Sequence, residues 1–297
     1  LVVGWSGGCF TPDTEILTDQ GFKFFKDLDK TEKVATLNTK TNELEYQSPT
    51  EYTIAPYKGK IQVVNKKQAS YSVTPNHRMY VAKRDDSKPK KELSYEIVTA
   101  ENLMKDSKRF YLKKDAIWTG VEVETFTLPD GTQLPMDTWL KFFGFWTAEG
   151  WTESNNTKVG ICQTKSSKIL TELKTDLEAH GVHWSKVTDG IVSSHKGLYD
   201  YLVQFGKSSD KFIPREVLNL SSRQLKIFLE YYLLGDGSSE YSAGSIKPRL
   251  RAHAVSKTLV DNLVELALKI GWSANISNRG NSKIGDRDMQ PKHDIYT

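Results

Sequence analysis

The feature that most constrains the fold is a helical pattern that occurs twice, each time ending in an acidic residue followed by glycine. Apolar residues at helical spacing run through residues 136–150 and again through 222–234. The acidic residues, Glu149 and Asp236, lie 87 positions apart. A strand-like segment and a second helical segment follow each pattern, at 158–163 and 166–180 in the first copy and at 249–254 and 256–270 in the second. This repetition predicts an internal duplication.

A duplicated helix that ends in an acidic residue has a definite chemical use. If the two helices pack side by side about a pseudo-twofold axis, their ends bring Glu149 and Asp236 together. Two neighbouring carboxylates repel each other unless a divalent cation neutralises them, which predicts a Mg²⁺ site held by this pair. Two such metals would clamp the attacking and leaving oxygens of a phosphodiester displacement. The following glycines, Gly150 and Gly237, let the chain turn sharply away from each helix end.

The two stretches resemble the paired motifs of the single-chain LAGLIDADG homing endonucleases. The first is Phe142-Phe143-Gly144-Phe145-Trp146-Thr147-Ala148-Glu149-Gly150, and the second is Leu229-Glu230-Tyr231-Tyr232-Leu233-Leu234-Gly235-Asp236-Gly237. Gly144 stands where the family places a small residue for close helix packing, whereas Tyr231 occupies the equivalent place in the second helix. The resemblance implies an α+β fold with internal pseudo-twofold symmetry and Mg²⁺-dependent cleavage of double-stranded DNA.

Further residues are candidates for assisting cleavage or for contacting DNA. Lys211-Phe212-Ile213-Pro214 resembles a block of inteins that carries an active-site lysine, which implies that Lys211 assists at phosphate or water. A twisted antiparallel sheet fits the major groove, where base edges carry a distinguishing pattern of donors and acceptors. Ordinary solvated surface is an equally good interpretation for any one of the DNA-contact candidates, which are Lys158, Gln163, Lys165, Arg249, Arg251 and Lys257.

A second chemical feature lies near the start of the chain, where Cys9 directly follows Gly7 and Gly8. Gly8 has no β-carbon to block attack on its carbonyl, and the Cys9 sulfur reaches that carbonyl through a five-membered ring. The resulting N-to-S acyl shift is uphill unless the site strains the amide and stabilises the oxyanion. The stretch Thr74-Pro75-Asn76-His77 is the candidate supplier of the necessary donor. A lone Cys9 would otherwise be interpreted as a small buried hydrophobe.

The runs Cys-Phe-x-x-Asp-Thr-x-Ile-x-Thr, from Cys9, and Thr-x-x-His, from Thr74, resemble the first and second splicing blocks of inteins. That resemblance implies an all-β Hint (hedgehog/intein) domain. It also implies that Cys9 is the nucleophile, that Thr74 holds the scissile peptide and that His77 donates to the Cys9 amide. Frequent short alternating strands and turn signals as far as Lys114 agree with a β-rich domain. Residues 1–8 would then be the end of a host sequence, the N-extein.

The expected organisation is multidomain, since 297 residues are enough for two cores. We expect a splicing region over 9–117 and an endonuclease domain over 118–297, with repeats at about 136–205 and 221–297. The net charge of +4 permits contact with nucleic acid without demonstrating it, and no apolar run is long enough to span a membrane. Two cysteines, Cys9 and Cys162, build no disulfide framework, which predicts an intracellular, cytoplasmic protein. Cys162 is expected in the core.

Inteins end in a His-Asn pair, and no such dipeptide occurs in this sequence. The expected partners are therefore double-stranded DNA, host extein sequences and a separate C-terminal intein segment, with the chain itself a monomer and no membrane involved. Two other interpretations remain open. A hedgehog-like autoprocessing module would share Cys9 and the Thr-x-x-His run, and a maturase-like DNA-binding protein would keep the duplicated helices without cleavage.

Overall fold

The computed structural model describes residues 8–66, 69–84, 87, 93–105, 109–163, 167–240 and 249–278, and the short stretches 283–284, 287–288 and 293–296. The chain divides into two compact units, Leu1–Ile117 and Trp118–Thr297. Residues 1–7 of the expected host segment and the DNA-contact candidate Lys165 lie outside the described residues.

The described part of the first unit is built from short antiparallel strands, one short α-helix and a 3-10 turn at Phe25–Asp27. A four-stranded sheet has the order β2-β1-β3-β4, a hairpin pairs β5 with β6, and a three-stranded sheet has the order β8-β7-β9. The elements are β1 (Glu15–Thr18), β2 (Gly21–Phe24), β3 (Val34–Leu37), β4 (Leu44–Gln47), β5 (Gln62–Lys66), β6 (Ala69–Val73), β7 (Arg78–Lys83), β8 (Tyr95–Thr99), α1 (Ala100–Lys105) and β9 (Phe110–Leu112).

The segment that follows Gly8 runs alongside the end of β6. Phe10 forms an antiparallel bridge with Val73, and the Thr11 amide donates to the Ser72 carbonyl at 3.1 Å. The Phe10 ring stacks on the buried Phe25 with ring centroids 5.3 Å apart. Buried aromatic surface therefore fixes the residue directly after Cys9, although Cys9 itself is only partly buried.

The second unit consists of two α/β halves of equal topology. The first half has a sheet of order β12-β13-β15-β14, and the second a sheet of order β16-β17-β21-β18, all antiparallel. The first half and the hairpin before it comprise β10 (Thr125–Thr127), β11 (Gln133–Pro135), α2 (Met136–Glu149), β12 (Gly150–Glu153), β13 (Lys158–Cys162), α3 (Ser167–Glu178), β14 (Ser185–Val187), β15 (Gly190–Ser193), α4 (Lys196–Leu202) and α5 (Arg215–Leu218).

The second half begins with α6, whose N-cap Ser221 accepts a hydrogen bond from the Gln224 amide. Ser256 caps α7 in the same way by accepting from the Leu259 amide. A two-stranded hairpin, β19-β20, lies in sequence between β18 and β21. The elements are α6 (Ser222–Asp236), β16 (Gly237–Glu240), β17 (Arg249–Ala254), α7 (Lys257–Lys269), β18 (Asn275–Asn278), β19 (Lys283–Ile284), β20 (Arg287–Asp288) and β21 (His293–Tyr296).

Helices α2 and α6 pack against each other in parallel and in register. Near their first turns the Gln224 side-chain amide donates to the Asp137 carboxylate at 3.3 Å. At their ends, a Cβ added at Gly235 would lie 2.6 Å from the Ala148 Cβ. The equivalent residues of the two repeats thus meet at both ends, as expected for packing about a pseudo-twofold axis.

Two glycines allow this close approach, one in each helix. A Cβ added at Gly144 would lie 2.3 Å from the Phe228 carbonyl oxygen, so that only glycine fits there without a shift of backbone. The large Tyr231, which is equivalent to Gly144, lies beside the contact, where its ring faces the Lys141 ammonium of α2 at 5.8 Å and its hydroxyl donates to Glu172 at 2.5 Å. Gly235 provides the second close approach instead.

The glycines after the two helices serve a different purpose from the one expected. Gly150 and Gly237 have extended backbones with φ of −90° and −110°, which any residue adopts. Space is the constraint, since an added Cβ would lie 2.1 Å from the Trp146 ring at Gly150 and 2.2 Å from the Leu233 carbonyl oxygen at Gly237. Each chain therefore leaves its helix directly as the first strand of a sheet.

The core of the second unit is continuous across both halves and is rich in aromatic side chains. Trp139, Phe143 and Phe228 are fully buried, and the Trp139 and Phe143 rings stack with centroids 5.2 Å apart. No helix in the described part of the chain is long and apolar enough to cross a membrane.

Candidate functional site

The two acidic residues are the last residues of the paired helices and lie close together. The Glu149 side chain rests against the neighbouring helix, since a Cβ added at Gly235 would lie 2.9 Å from the Glu149 Cγ. Burial raises the pKa of Glu149, and the charge of Asp236 raises it further. Two carboxylates that disfavour each other's ionisation form the electrostatic environment that a bound cation would relieve.

Lys211 lies beneath the end of α2 and is almost completely buried, with 4% of its surface exposed. Its ammonium donates to the carbonyl oxygens of Trp146, Thr147 and Gly150 at 3.0, 2.9 and 2.7 Å. These carbonyls lie at the end of α2, where that of Trp146 also accepts from the Gly150 amide. Burial lowers the Lys211 pKa to about 8, with the acidic pair acting in the opposite direction. The contacts that fix Lys211 are therefore backbone contacts that hold the α2 end in place.

Gln163, a predicted DNA contact, lies at the acidic pair. It follows β13, and its side-chain amide donates to Glu149 Oε1 at 3.0 Å. This hydrogen bond favours the ionised carboxylate and partly offsets the effect of burial on the Glu149 pKa. The structure thus gives Gln163 a carboxylate as its neighbour, which the position of Gln163 at a strand end did not predict.

The other predicted DNA contacts lie in the two sheets and at one helix start. Lys158 pairs in register with Glu153 on the outward side of the first sheet. Arg249 and Arg251 lie on the outward side of β17 in the second sheet, exposed and half-buried respectively. Lys257, at the start of α7, forms an ion pair with Asp261 at 2.6 Å.

The expectation that Cys162 belongs to the core is wrong, because its side chain is exposed. Along β13 the buried Val159 and Ile161 alternate with Lys158, Gly160 and Cys162. Side chains on a strand alternate between its faces, so the register that buries Ile161 turns Cys162 outward.

At the other end of the chain, the Cys9 peptide is held by Thr74. The Cys9 amide donates to Thr74 Oγ1 at 2.8 Å, and the Thr74 amide donates to the Cys9 carbonyl at 2.9 Å. The Thr74 hydroxyl donates its proton to Asn76 Oδ1 at 2.7 Å, which directs its lone pairs at the Cys9 amide. The sequence pattern assigns no separate role to Asn76, and its position two residues after Thr74 is the only signal that it offers.

His77 lies against Gly8, whose carbonyl is the one that the Cys9 sulfur would attack. A Cβ added at Gly8 would lie 2.2 Å from the His77 Cα, so a larger residue does not fit. Burial lowers the His77 pKa, and a hydrogen bond to the Gly8 backbone acts in the opposite direction. A bond that favours the charged ring is one in which the ring donates, so the Gly8 carbonyl is the acceptor.

The start of α1 holds the turn that carries these residues. The Ala100 amide donates to the His77 carbonyl at 2.8 Å, and the Glu101 amide donates to the Pro75 carbonyl at 2.9 Å. The structure therefore brings Cys9, Thr74 and His77 together. It places Thr74, rather than His77, against the Cys9 amide.

The residues at the helix ends fit a hard cation that takes few protein ligands. In the part of the chain that the structure describes, no cluster of three or more His, Cys, Asp or Glu side chains is arranged to hold a metal. Two carboxylates, Glu149 and Asp236, are nevertheless a suitable donor set for Mg²⁺. This ion keeps several of its waters and is commonly bound through one or two carboxylates.

Comparison with known proteins gives two relatives with unrelated names, and no protein-family model matches the chain. The ATP-dependent Clp protease proteolytic subunit of Chlamydomonas moewusii is 29% identical over 294 residues, which cover 90% of this chain and 28% of that protein. The DNA-directed RNA polymerase subunit beta C-terminal section of Stigeoclonium helveticum is 28% identical over 316 residues, covering 90% of this chain and 29% of that protein. The chain spans less than a third of the length of either relative.

Among solved structures, the homing endonuclease I-WcaI bound to its DNA recognition sequence matches with 15% identity and a TM-score of 0.35. The match covers 55% of this chain and 76% of that one. A similarity this weak assigns neither a fold nor a function to the present chain.

Proposed function

We propose that this chain is an intein-type element that carries a site-specific DNA endonuclease. The observation that carries the nuclease assignment is the convergence of Glu149 and Asp236 at the ends of two parallel helices in register. Such a pair suits phosphodiester hydrolysis assisted by a divalent cation. The substrate is double-stranded DNA, since two related sheets flank the acidic pair and one of them presents Arg249 and Arg251 outward.

Mg²⁺ held by Glu149 and Asp236 would supply Lewis-acid stabilisation of charge on the phosphate oxygens. The protein residues hold this site in shape. Lys211 fixes the α2 end through three backbone carbonyls, and Gln163 orients the Glu149 carboxylate. Lys211 therefore supports the reaction by positioning the acidic residue, in addition to contributing a positive charge near the scissile phosphate.

The second proposed activity is an N-to-S acyl shift at the Gly8–Cys9 bond. The Cys9 sulfur attacks the Gly8 carbonyl carbon, a C–S bond forms, the C–N bond breaks, and the Cys9 nitrogen takes up a proton to become a free amine. Thr74 holds the amide that leaves, and His77 donates to the Gly8 carbonyl oxygen as negative charge develops there. The proton lost by the Cys9 thiol supplies the proton that the Cys9 nitrogen takes up.

The two relatives support the insertion of such an element into host proteins. A protease subunit and an RNA polymerase section have no activity in common, yet each contains a region similar to 90% of this chain. A segment shared by such proteins has a function of its own. An element that excises itself from its host and carries a nuclease accounts for its presence in both.

The acyl shift is tested by measuring the intact mass of the chain with and without dithiothreitol. We expect loss of the peptide Leu1–Gly8, no loss in Cys9→Ala, and slower loss in His77→Ala. Asn76→Ala removes the acceptor that orients the Thr74 hydroxyl and should slow the loss of the peptide without abolishing it. If adding a C-terminal intein segment still leaves the mass of the wild type unchanged, the splicing proposal is wrong.

The nuclease is tested by incubating the chain and Mg²⁺ with a plasmid library that carries randomised inserts, followed by sequencing of the cut ends. We expect cleavage at a defined subset of inserts and none in the presence of EDTA. Retention of insert binding without cleavage would instead support a DNA-binding protein whose nuclease is inactive.

A further inference from the structure

Three aromatic rings stand in a row beside the Gly8–Cys9 bond. The Phe10 ring contacts both of the others, with its centroid 5.3 Å from that of Phe25 and 4.2 Å from that of the His77 imidazole. The first contact is stacked, with 24° between the ring planes, and the second is an edge contact at 65°. Both are arrangements that aromatic pairs prefer. Phe10 therefore connects His77 to the buried Phe25.

The backbone of His77 is fixed by its turn, but no hydrogen bond at Nδ1 fixes its ring. The His77 amide donates to the Thr74 carbonyl at 3.0 Å, and the His77 carbonyl accepts from the Ala100 amide at 2.8 Å. Nδ1 of the ring is buried and has no hydrogen-bond partner among the residues that the structure describes. A hydrogen bond at one ring nitrogen commonly fixes an imidazole so that the other nitrogen can act. In His77 packing must supply this orientation.

Phe10 is itself fixed through both its backbone and its ring. Its backbone forms an antiparallel bridge with Val73, which is fully buried and directly precedes Thr74. Its ring rests on Phe25, of which 1% is exposed. Because Phe10 is already held by these contacts, its contact with His77 restricts the imidazole rather than Phe10.

We propose that Phe10 is a positioning residue for the acyl shift at Gly8–Cys9, an inference that rests on the splicing activity proposed above. Its ring holds the His77 imidazole against Gly8, so that His77 donates to the Gly8 carbonyl oxygen as charge develops there. Phe25 supports the Phe10 ring in this position. The Phe10 side chain takes no part in making or breaking bonds.

The environment of the imidazole agrees with this role. Burial lowers the His77 pKa, and the Phe10 ring is part of the apolar surface that covers the imidazole. The ionisable side chains of the adjoining segments are Cys9, Arg78 and Glu101. Arg78 is exposed, and Glu101 pairs with Lys105 at 2.6 Å. We therefore expect loss of the Phe10 ring to raise the His77 pKa toward its ordinary value.

The test measures release of the peptide Leu1–Gly8 from the full chain by dithiothreitol. Phe10→Leu keeps apolar volume but removes the ring, with Phe10→Met as its replacement if it does not fold, and Phe10→Tyr keeps the ring. The control is Phe24→Leu, at an exposed phenylalanine of the same unit. Each variant is also combined with His77→Ala. The pKa of His77 is measured by NMR in a Cys9→Ala background, in which no peptide is released.

We expect Phe10→Leu to slow release about fivefold, as the loss of one aromatic contact implies, and to raise the His77 pKa. Phe10→Tyr should keep most of the rate, and Phe24→Leu should behave as the wild type. In the His77→Ala background Phe10→Leu should have no further effect, because a residue that acts through His77 then has nothing to position. A general loss of stability would instead slow release equally in both backgrounds.

Three results would overturn the inference and leave the acyl shift in place. They are release from Phe10→Leu at the wild-type rate, an equal effect of Phe10→Leu with and without the His77 ring, and an unchanged His77 pKa in Phe10→Leu. The first two would show that Phe10 does not act through His77, and the third that its ring does not cover the imidazole. If the wild type itself releases no peptide, the proposed acyl shift fails, and the role of Phe10 fails with it.

Discussion

The two halves of the second unit have the same strand order and the same acidic helix ends, but their cores are filled differently. The first half has Trp146, Ile161 and Leu177 where the second has Leu233, Ala252 and Ala267. A small apolar cavity that is partly open to solvent lies in the second half, and its lining includes Leu229, Leu233, Ala252, Ala267 and Trp272. Trp272 stands where the first half has Val182 and fills part of the difference.

The different side chains in the two cores show that helix packing restricts residue size only where α2 and α6 touch. The close contact between α2 and α6 needs one glycine in each helix, since Gly235 contacts Ala148 closely and Gly144 contacts the backbone of α6. Farther from the acidic pair, side chains of different volume are accommodated on the same backbone. The two halves thus share the acidic helix ends and a close helix contact, although the glycines that allow this contact stand at positions that are not equivalent.

The largest expected effect tests whether the two acidic residues are equivalent in function. Glu149→Gln and Asp236→Asn should each reduce cleavage of the selected DNA site about a hundredfold or more, because Lewis-acid stabilisation contributes several kcal/mol. Initial rates at saturating Mg²⁺ provide the measurement, and unchanged DNA binding in EDTA provides the control. Loss of activity in only one variant would break the equivalence of the halves.

The close contact between the helices predicts similar costs at its two glycines. Gly144→Ala and Gly235→Ala should each destabilise the second unit by about 2 kcal/mol, since each new methyl group meets atoms that must shift. Urea unfolding monitored by tryptophan fluorescence gives this value. Leu234→Ala, at an exposed position of the same helix, is the matched control and should have little effect. Tolerance of alanine at Gly235 alone would mean that only Gly144 sets the helix separation.

Ile161 and Ala252 are equivalent residues in the two cores, and we expect a smaller side chain at the first to destabilise the protein and a larger one at the second to stabilise it. Ile161→Ala should destabilise the protein by about 3 kcal/mol, because it opens a cavity in a filled core. Ala252→Ile should stabilise it by about 1 kcal/mol by filling the cavity that already exists. Both are measured by urea unfolding. Destabilisation by Ala252→Ile would show that the second core is full and that the comparison of the two cores is wrong.

The smallest expected effect concerns Gln163, which the second half lacks because Ala254 stands at the equivalent position. Gln163→Ala removes one hydrogen bond to Glu149 and should reduce cleavage about fivefold, as the loss of about 1 kcal/mol implies. Because the Glu149 pKa rises further without this bond, the loss should be larger at lower pH. A uniform loss at all pH values would show that Gln163 does not act through the Glu149 carboxylate.

Much of the architecture of the second unit could be predicted from the sequence. The helices at α2, α3, α6 and α7 are long and strongly periodic, and each lies within two residues of its predicted ends. The helix ends identify Glu149 and Asp236 without any knowledge of tertiary contacts. Strand β17 occupies the predicted range 249–254.

The remaining features depend on contacts that a linear pattern does not contain. The contact of Gly235 with Ala148 follows from the angle and separation of the two helices. Alignment of the two motifs instead indicates position 231 as the site for a small residue in α6, and this position is occupied by tyrosine. The side chain of Gln163 reaches an acidic residue that is 14 positions away, and Lys211 reaches backbone carbonyls more than 60 positions away. Cys162 was misplaced because the register of β13 was not known.

Mn²⁺ binding followed by electron paramagnetic resonance decides whether Glu149 and Asp236 form one metal site. Mn²⁺ reports on a Mg²⁺ site without requiring knowledge of the DNA target. We expect Mn²⁺ binding to the wild type to be weakened strongly and equally by Glu149→Gln and by Asp236→Asn, and to be little affected by Glu230→Gln on the exposed side of α6. Unchanged affinity in either of the first two variants would contradict the claim that the two halves meet to form one metal site.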